Sequence, residues 1–246
     1  MRVNEEIFFG LILLCFIKPS HGDNSLNIAV ASNFNSTFEK ISLQYEKKEK
    51  IKINIISGSS GILFAQIVNG APYDIFFSAD RDRPKMLDLR GLSRARGTYA
   101  YGRVVFWERI VPAQEQSLSQ SNRKLALARP EFAPYGKAAL EILENFNHDL
   151  SNLAYGVNVN QVFAYIETGS INAGFISLSQ ALNKNISPIN YLVISESLHS
   201  KIEQQFVITS NAKDWSEEFI DWVLSPAAQE IIINSGYRGI RIDDRK

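Results

Sequence analysis

Apolar positions in the first third of the chain alternate between two spacings. Short β-rich apolar runs occur at 26–31, 52–57 and 74–78. Apolar residues at helical spacing follow the first run, over 34–45, and the second, over 63–67. Strand and helix patterns that alternate at this interval predict βαβ units and a mainly parallel sheet.

A second set of the same kind follows, so we predict an α/β protein with two lobes. Its predicted elements are a β-prone segment at 101–107, a strand at 124–128, a helix from Tyr135, a helix at 158–167, a strand at 173–177, a β run at 204–209 and closing helices at 215–224 and 227–234.

The two sets are joined by β-rich crossings near 101–107 and near 203–209, which we interpret as two hinge strands. We expect 23–102 and 205–246 to form lobe 1 and 103–204 to form lobe 2, with the last helices returning to lobe 1. Each lobe is predicted to be a mainly parallel sheet flanked by helices.

The N-terminus carries a continuous apolar run of eleven residues at 7–17. A membrane-spanning helix needs about 20 such residues, so this run is too short. It fits the apolar region of a secretory signal peptide, with small residues Ser20 and Gly22 before a cut at Asp23. We therefore expect a signal peptide over 1–22 and a soluble periplasmic protein. The alternative is a buried first helix.

Composition excludes several classes of protein. The chain has 246 residues, 45% of them hydrophobic and 21% charged, which is typical of a folded protein rather than a disordered one. Its 26 basic and 26 acidic residues balance, which argues against a nucleic-acid partner. A single cysteine cannot form an internal disulfide.

The sequence also lacks the usual motifs of catalysis. It contains neither a Gly-rich nucleotide motif nor the Gly-x-Ser-x-Gly motif of serine hydrolases. His148 and His199 have no second histidine or cysteine at metal-ligand spacing, and no pair of carboxylates stands out for acid–base work. We therefore predict no enzymatic activity, no cofactor and no direct metal ligands.

Hydroxyl and amide side chains recur where a predicted strand ends and a helix begins. Ligands of open α/β sheets bind beyond the carboxyl ends of strands, and helix N-termini attract anions. These positions therefore indicate a site for a small anion, although each residue could instead be an N-cap or a turn residue. The segments are Ser32-Asn33, Ser59-Ser60, Pro134-Tyr135-Gly136 and Asn158-Val159-Asn160.

With these segments in place, the chain resembles the periplasmic molybdate-binding proteins of ABC transporters, which have the type 2 periplasmic binding protein fold. The resemblance covers almost all of the chain after residue 22. Its markers are AVASNF at 29–34, GSSG at 58–61, GAPYDIFFSAD at 70–80, ARPEFAPYG at 128–136, SPAAQ at 225–229 and GYR at 236–238.

The resemblance implies a set of neutral donors for the oxyanion. Side chains and backbone N–H groups would come from both lobes, and Val159 would offer its backbone N–H. Ser177 is a weaker candidate, because it stands where some family members carry a ligand tyrosine. The implied molybdate ligands are Ser32, Asn33, Ser60, Tyr135 and Val159.

The resemblance also implies a function. The protein would capture molybdate, and tungstate as well, and deliver the ion as a monomer to a membrane permease with a cytoplasmic ATPase. The alternatives are a binding protein for sulfate or phosphate and a secreted enzyme on the same scaffold.

Overall fold

The computed structural model describes residues 24–120 and 122–240. The expected signal peptide, 1–22, lies outside the described residues. Within the described part, no helix combines the length and apolar character needed to cross a membrane.

The described residues form ten strands and eight α-helices. The strands are β1 (Ser25–Ala31), β2 (Lys52–Gly58), β3 (Ile75–Phe77), β4 (Ser93–Gly102), β5 (Val104–Glu108), β6 (Leu125–Ala128), β7 (Leu153–Gly156), β8 (Ala173–Ser177), β9 (Tyr191–Val193) and β10 (Ile202–Thr209). The helices are α1 (Asn35–Glu49), α2 (Ser60–Val68), α3 (Asp82–Leu89), α4 (Pro134–Asn145), α5 (Val159–Glu167), α6 (Leu178–Asn183), α7 (Trp215–Val223) and α8 (Pro226–Asn234).

The strands form two five-stranded sheets, ordered β2-β1-β3-β10-β4 and β7-β6-β8-β5-β9. In each sheet four strands point the same way and one, β10 or β5, runs antiparallel to its neighbours. The predicted two-lobed α/β fold is confirmed. The chain passes between the sheets at Arg103, between β4 and β5, and again over 194–201, between β9 and β10.

An aromatic cluster forms the core of the first lobe. Phe34 contacts Tyr99, with ring centroids 4.7 Å apart, and Phe38 contacts Phe77 at 5.0 Å and Phe219 of α7 at 5.7 Å. Each fully buried Phe contributes about 1.5–3 kcal/mol of transfer free energy. This burial explains why the helical spacing of apolar residues after β1 produces α1 and attaches α7 to it.

The two lobes touch at the start of α2 and also between α1 and α6. The Gly61 backbone N–H donates to the Phe132 carbonyl at 2.9 Å, and Lys40 Nζ donates to Asn183 Oδ1 at 2.6 Å. A Cβ at Gly61 would lie 2.9 Å from Phe132 Cα, so only glycine permits this approach. The cleft between the lobes is therefore closed.

Candidate functional site

A small cavity lies between the lobes where several helices begin. Its volume is about 10 Å³, comparable to the space that one water molecule occupies by the same measure. A tetrahedral oxyanion is larger than water, so the lobes must separate to admit one. The lining residues are Ala31, Ser32, Asn33, Ser59, Ser60, Ala79, Ala133, Pro134, Tyr135, Asn158 and Val159.

All five principal residues implied by the resemblance line this cavity: Ser32, Asn33, Ser60, Tyr135 and Val159. Three come from the first lobe and two from the second, so closure brings them together. Their assignment as ligands stays a prediction.

Two hydroxyl groups in the cavity have no hydrogen-bond partner among the described residues. Ser32, after β1, and Ser59, before α2, are 5% and 3% exposed, and the Oγ atoms of both are buried and unpartnered. An unsatisfied buried polar group costs about 1–3 kcal/mol. Native proteins rarely keep such groups without a use, so both hydroxyls are suited to meeting a ligand.

Ser60 has a different environment from Ser59. It is the first residue of α2, and its Oγ accepts the Ala79 N–H at 2.9 Å. A hydroxyl that accepts in this way still has its own proton to donate. Ser60 is thus neither a helix cap nor unpartnered, and it can donate to an anion at the positive end of α2.

Tyr135 supplies a hydroxyl from the second lobe, in the first turn of α4. Burial is the main reason that the pKa of Tyr135 lies well above its ordinary value of 10.0. The phenol therefore keeps its proton at neutral pH and remains a donor. Gly102 makes room for it, because a Cβ there would overlap the Tyr135 hydroxyl.

Val159 presents a helix N-terminus to the cavity. It is the first residue of α5, where backbone N–H groups have no acceptor within the helix. Its neighbour Asn158 is a helix cap, since its side chain accepts the Gln161 N–H at 3.0 Å. The backbone N–H of Val159 is therefore available to an anion, and its role as a ligand stays a prediction.

The side chain of Asn33 is held by protein groups. Its Nδ2 donates to Gln204 Oε1 at 3.0 Å and to Tyr237 OH at 3.2 Å. The resemblance implies an amide donor to the ligand at this position. With the amide hydrogens engaged, the donor that remains on Asn33 is its backbone N–H, in the turn after β1.

Ser177, the weaker candidate, does not line the cavity. Its hydroxyl caps α6 by accepting the Gln180 N–H at 3.2 Å, and the Gln180 side chain accepts the Ser177 N–H in return. This capping box turns the side chain of Ser177 toward α6.

Sequence reasoning missed Ser59, Gln204 and Tyr237. Ser59 lies in the segment Ser59-Ser60, of which the resemblance implies only Ser60 as a ligand. Gln204 is a fully buried amide in a strand, and Tyr237 donates to the Asn33 carbonyl at 2.6 Å. The sequence carried no clear signal for Gln204, because it stands between Glu203 and Gln205 and only the structure shows that it is buried.

The donors of the cavity are neutral. Its lining contains no Lys, Arg or His. In the adjoining cleft, Arg83 pairs with Asp80, and its Nη2 donates to the Glu131 carbonyl of the other lobe at 2.7 Å. No cluster of three or more His, Cys, Asp or Glu residues suited to a metal ion occurs in the described ranges.

Comparison with known proteins gives consistent matches. A family model described as a bacterial extracellular solute-binding protein matches residues 26–238. The molybdate-binding protein ModA of Azotobacter vinelandii is 31% identical over 224 residues, which covers 86% of this chain and 89% of that protein. ModA of Rhodobacter capsulatus is 30% identical over 220 residues, covering 85% of this chain and 86% of that protein.

A solved structure matches in the same way. The periplasmic molybdate-binding protein of Azotobacter vinelandii superposes with a TM-score of 0.82 at 32% identity, covering 88% of this chain and 100% of that chain. The matched ranges include both sheets, so each similarity extends to both sides of the cavity.

Proposed function

The chain belongs to the bacterial extracellular solute-binding proteins, together with the molybdate-binding proteins ModA, and we propose that it captures molybdate between its lobes. It is a binding protein and not an enzyme. We propose tungstate as a second ligand, because it is a tetrahedral dianion of similar shape.

One observation carries the proposal: the cavity contains two buried hydroxyls, on Ser32 and Ser59, without partners. Molybdate carries only acceptor atoms, so it can satisfy both hydroxyls together with the donors at Ser60, Tyr135 and Val159. Hydrogen bonds to a charged acceptor are roughly twice as strong as neutral ones. Neutral donors at helix N-termini can therefore replace the water around the anion.

Ion size would discriminate among oxyanions. Sulfate and phosphate are smaller than molybdate, so lobes that close to the spacing that fits molybdate leave either smaller ion short of some donors. Donors left without an acceptor then cost binding free energy. Hinge motion of the lobes about the two crossings closes them around the correct ion, and this closure completes the donor set.

We also propose a place for the protein in transport. It is exported to the periplasm, loses 1–22, and delivers its ion as a soluble monomer to a membrane permease driven by a cytoplasmic ATPase. N-terminal sequencing of the exported protein should find Asp23 first. A retained Met1 would contradict export by cleavage.

Thermal unfolding with a panel of oxyanions tests the ligand. At 100 times the dissociation constant, binding stabilises the folded state by about 2.7 kcal/mol, which raises Tm by roughly 5–10 °C for a chain of this size. We expect this shift with molybdate and tungstate and hardly any with sulfate or phosphate. Equal shifts with sulfate and molybdate would contradict the proposal.

A matched pair of variants tests whether the rise in Tm with molybdate depends on the cavity. Ser32→Ala removes an unpartnered cavity hydroxyl and should reduce the molybdate shift. Ser177→Ala removes a hydroxyl of similar burial that caps α6 outside the cavity. It should lower the ligand-free Tm while keeping the molybdate shift.

A further inference from the structure

Gln204 is a fully buried amide at the junction of the lobes, and it contacts residues from both. It lies in β10, in the first sheet. Its Oε1 accepts from Tyr99 OH at 2.8 Å and from Asn33 Nδ2 at 3.0 Å. Two donors on the oxygen fix the orientation of the amide, so that Nε2 faces Tyr135 OH in the second lobe at 3.4 Å.

The groups around the Tyr135 hydroxyl are hydrogen-bond donors. Besides Gln204 Nε2, Asn33 Nδ2 lies 3.5 Å from it, and the Arg103 backbone also bonds to it. A phenol has one proton and an oxygen that accepts. With its oxygen facing donors, Tyr135 has its proton free for another acceptor, and it lines the anion cavity.

We propose that Gln204 is a positioning residue for the anion: it sets the direction of the Tyr135 O–H bond so that the hydroxyl donates into the cavity. This inference rests on the proposed molybdate function. Because Gln204 lies in a strand of the first sheet and Tyr135 lies in the first turn of α4 in the second lobe, closure of the lobes brings the two side chains together. Closure and the completion of the donor set are then one event.

A double-mutant cycle tests this role. Gln204→Met keeps approximate size but cannot donate to the phenol, and it should weaken molybdate binding by about tenfold. Gln204→Glu should weaken binding more, because a carboxylate accepts the Tyr135 proton and repels a dianion. In a Tyr135→Phe background, Gln204→Met should change the molybdate Kd by less than twofold. Calorimetric titration gives each Kd.

Gln205→Met is the matched control. Gln205 follows in the same strand, but its amide contacts Thr98, Glu203 and Arg96, away from the cavity. This variant should bind molybdate like the unaltered protein. Ligand-free melting and circular dichroism verify folding of every variant, and if Gln204→Met does not fold, the same cycle with the neutral variant Gln204→Leu decides.

The outcomes separate this inference from the proposed function. If the unaltered protein does not bind molybdate, the proposed function is wrong. If it binds and Gln204→Met weakens binding equally with and without the Tyr135 hydroxyl, Gln204 acts through another group and the inference is overturned. Unchanged binding in Gln204→Met overturns it too.

Discussion

At the scale of single residues, the site depends on which hydroxyls are already engaged. Ser177 and Asn158 bond to the helices they precede, so their side chains are caps. Ser59 occupies a cap position but makes no cap hydrogen bond, and Ser60 bonds to the loop after β3. These four residues all stand where a helix begins, yet their side chains have three different environments.

Alanine variants of the two adjacent serines should behave differently. Ser59→Ala removes an unpartnered hydroxyl, so the ligand-free Tm should stay the same or rise. Ser60→Ala also loses the bond from Ala79, at a cost of about 1 kcal/mol in folding free energy. Both should weaken molybdate binding about 10- to 150-fold, since a hydrogen bond to a charged group is worth 1.5–3 kcal/mol.

Calorimetric titration and ligand-free melting measure both effects. A Ser59→Ala variant with unaltered molybdate affinity would remove Ser59 from the ligand set.

The sequence alone could not predict which of these serines is unpartnered, because the direction of each hydroxyl depends on the angle at which the chain enters α2. The contacts of the buried Gln204 amide could not be predicted from the sequence either, since its partners lie far away along the chain.

At the scale of elements, close approach of helix starts to the opposite lobe defines the cleft. The first turn of α2 lies against 131–133 of the second lobe, through Gly61 N–H and the Phe132 carbonyl. Gly61 therefore permits the close approach of the lobes, although glycine has a low helix propensity and does not favour α2 itself.

Gly61→Ala should separate closure from stability. The added Cβ would press on Phe132, at 2.9 Å from Cα and 3.1 Å from the carbonyl oxygen. We expect at least tenfold weaker molybdate binding, while the ligand-free Tm does not fall, because alanine favours the helix by up to about 1 kcal/mol. Ile62→Ala, at the next and exposed position of α2, is the control and should keep its affinity.

Calorimetric titration of both variants decides the point. Molybdate binding by Gly61→Ala within twofold of the unaltered protein would show that this contact does not limit closure.

Elements with strong apolar spacing were predicted and others were not. Helices α1 and α5 bury regular apolar stripes, and both appear where the pattern placed them. Helix α3 buries only Pro84 and Leu87, so it has no periodic signal. Strand β4 begins at Ser93, eight residues before the predicted segment, because its first half is polar and partly exposed at the sheet edge.

At the scale of the whole molecule, three buried tyrosines meet at the junction of the lobes. Burial raises the pKa values of Tyr99, Tyr135 and Tyr237 above the ordinary 10.0. In the unfolded chain these phenols ionise near pH 10, whereas in the folded protein they stay protonated. The folded state then binds more protons, so stability is complete below pH 10 and is lost as the pH rises above it.

Alkaline titration should therefore show a steep loss of stability. Each of the three tyrosines contributes a decrease of up to about 1.4 kcal/mol per pH unit above pH 10. Melting curves between pH 8 and 11.5 should show a Tm that is steady to about pH 10 and then falls. Tyr135→Phe should reduce the slope, whereas Tyr155→Phe, at a side chain 40% exposed, should leave it unchanged.

A Tm that stays constant to pH 11 would contradict the raised pKa values of the three tyrosines.

The two-lobed arrangement itself was predictable, because two strand–helix series with β-rich connections have few ways to fold. The predicted boundaries at 102/103 and 204/205 stay a prediction. The place of β10 between β3 and β4 was not predictable, since strand order depends on contacts between distant segments.

The position of β10 has a consequence for the order in which the molecule can assemble as it is made. Every strand of the second sheet lies between residues 104 and 193, in one uninterrupted stretch. The first sheet joins β4 to the rest only through β10, which ends at Thr209. During synthesis from the N-terminus, the second lobe can be complete while the first lobe still lacks β10, the strand that joins β4 to its sheet. The first part to be made is the last to be finished.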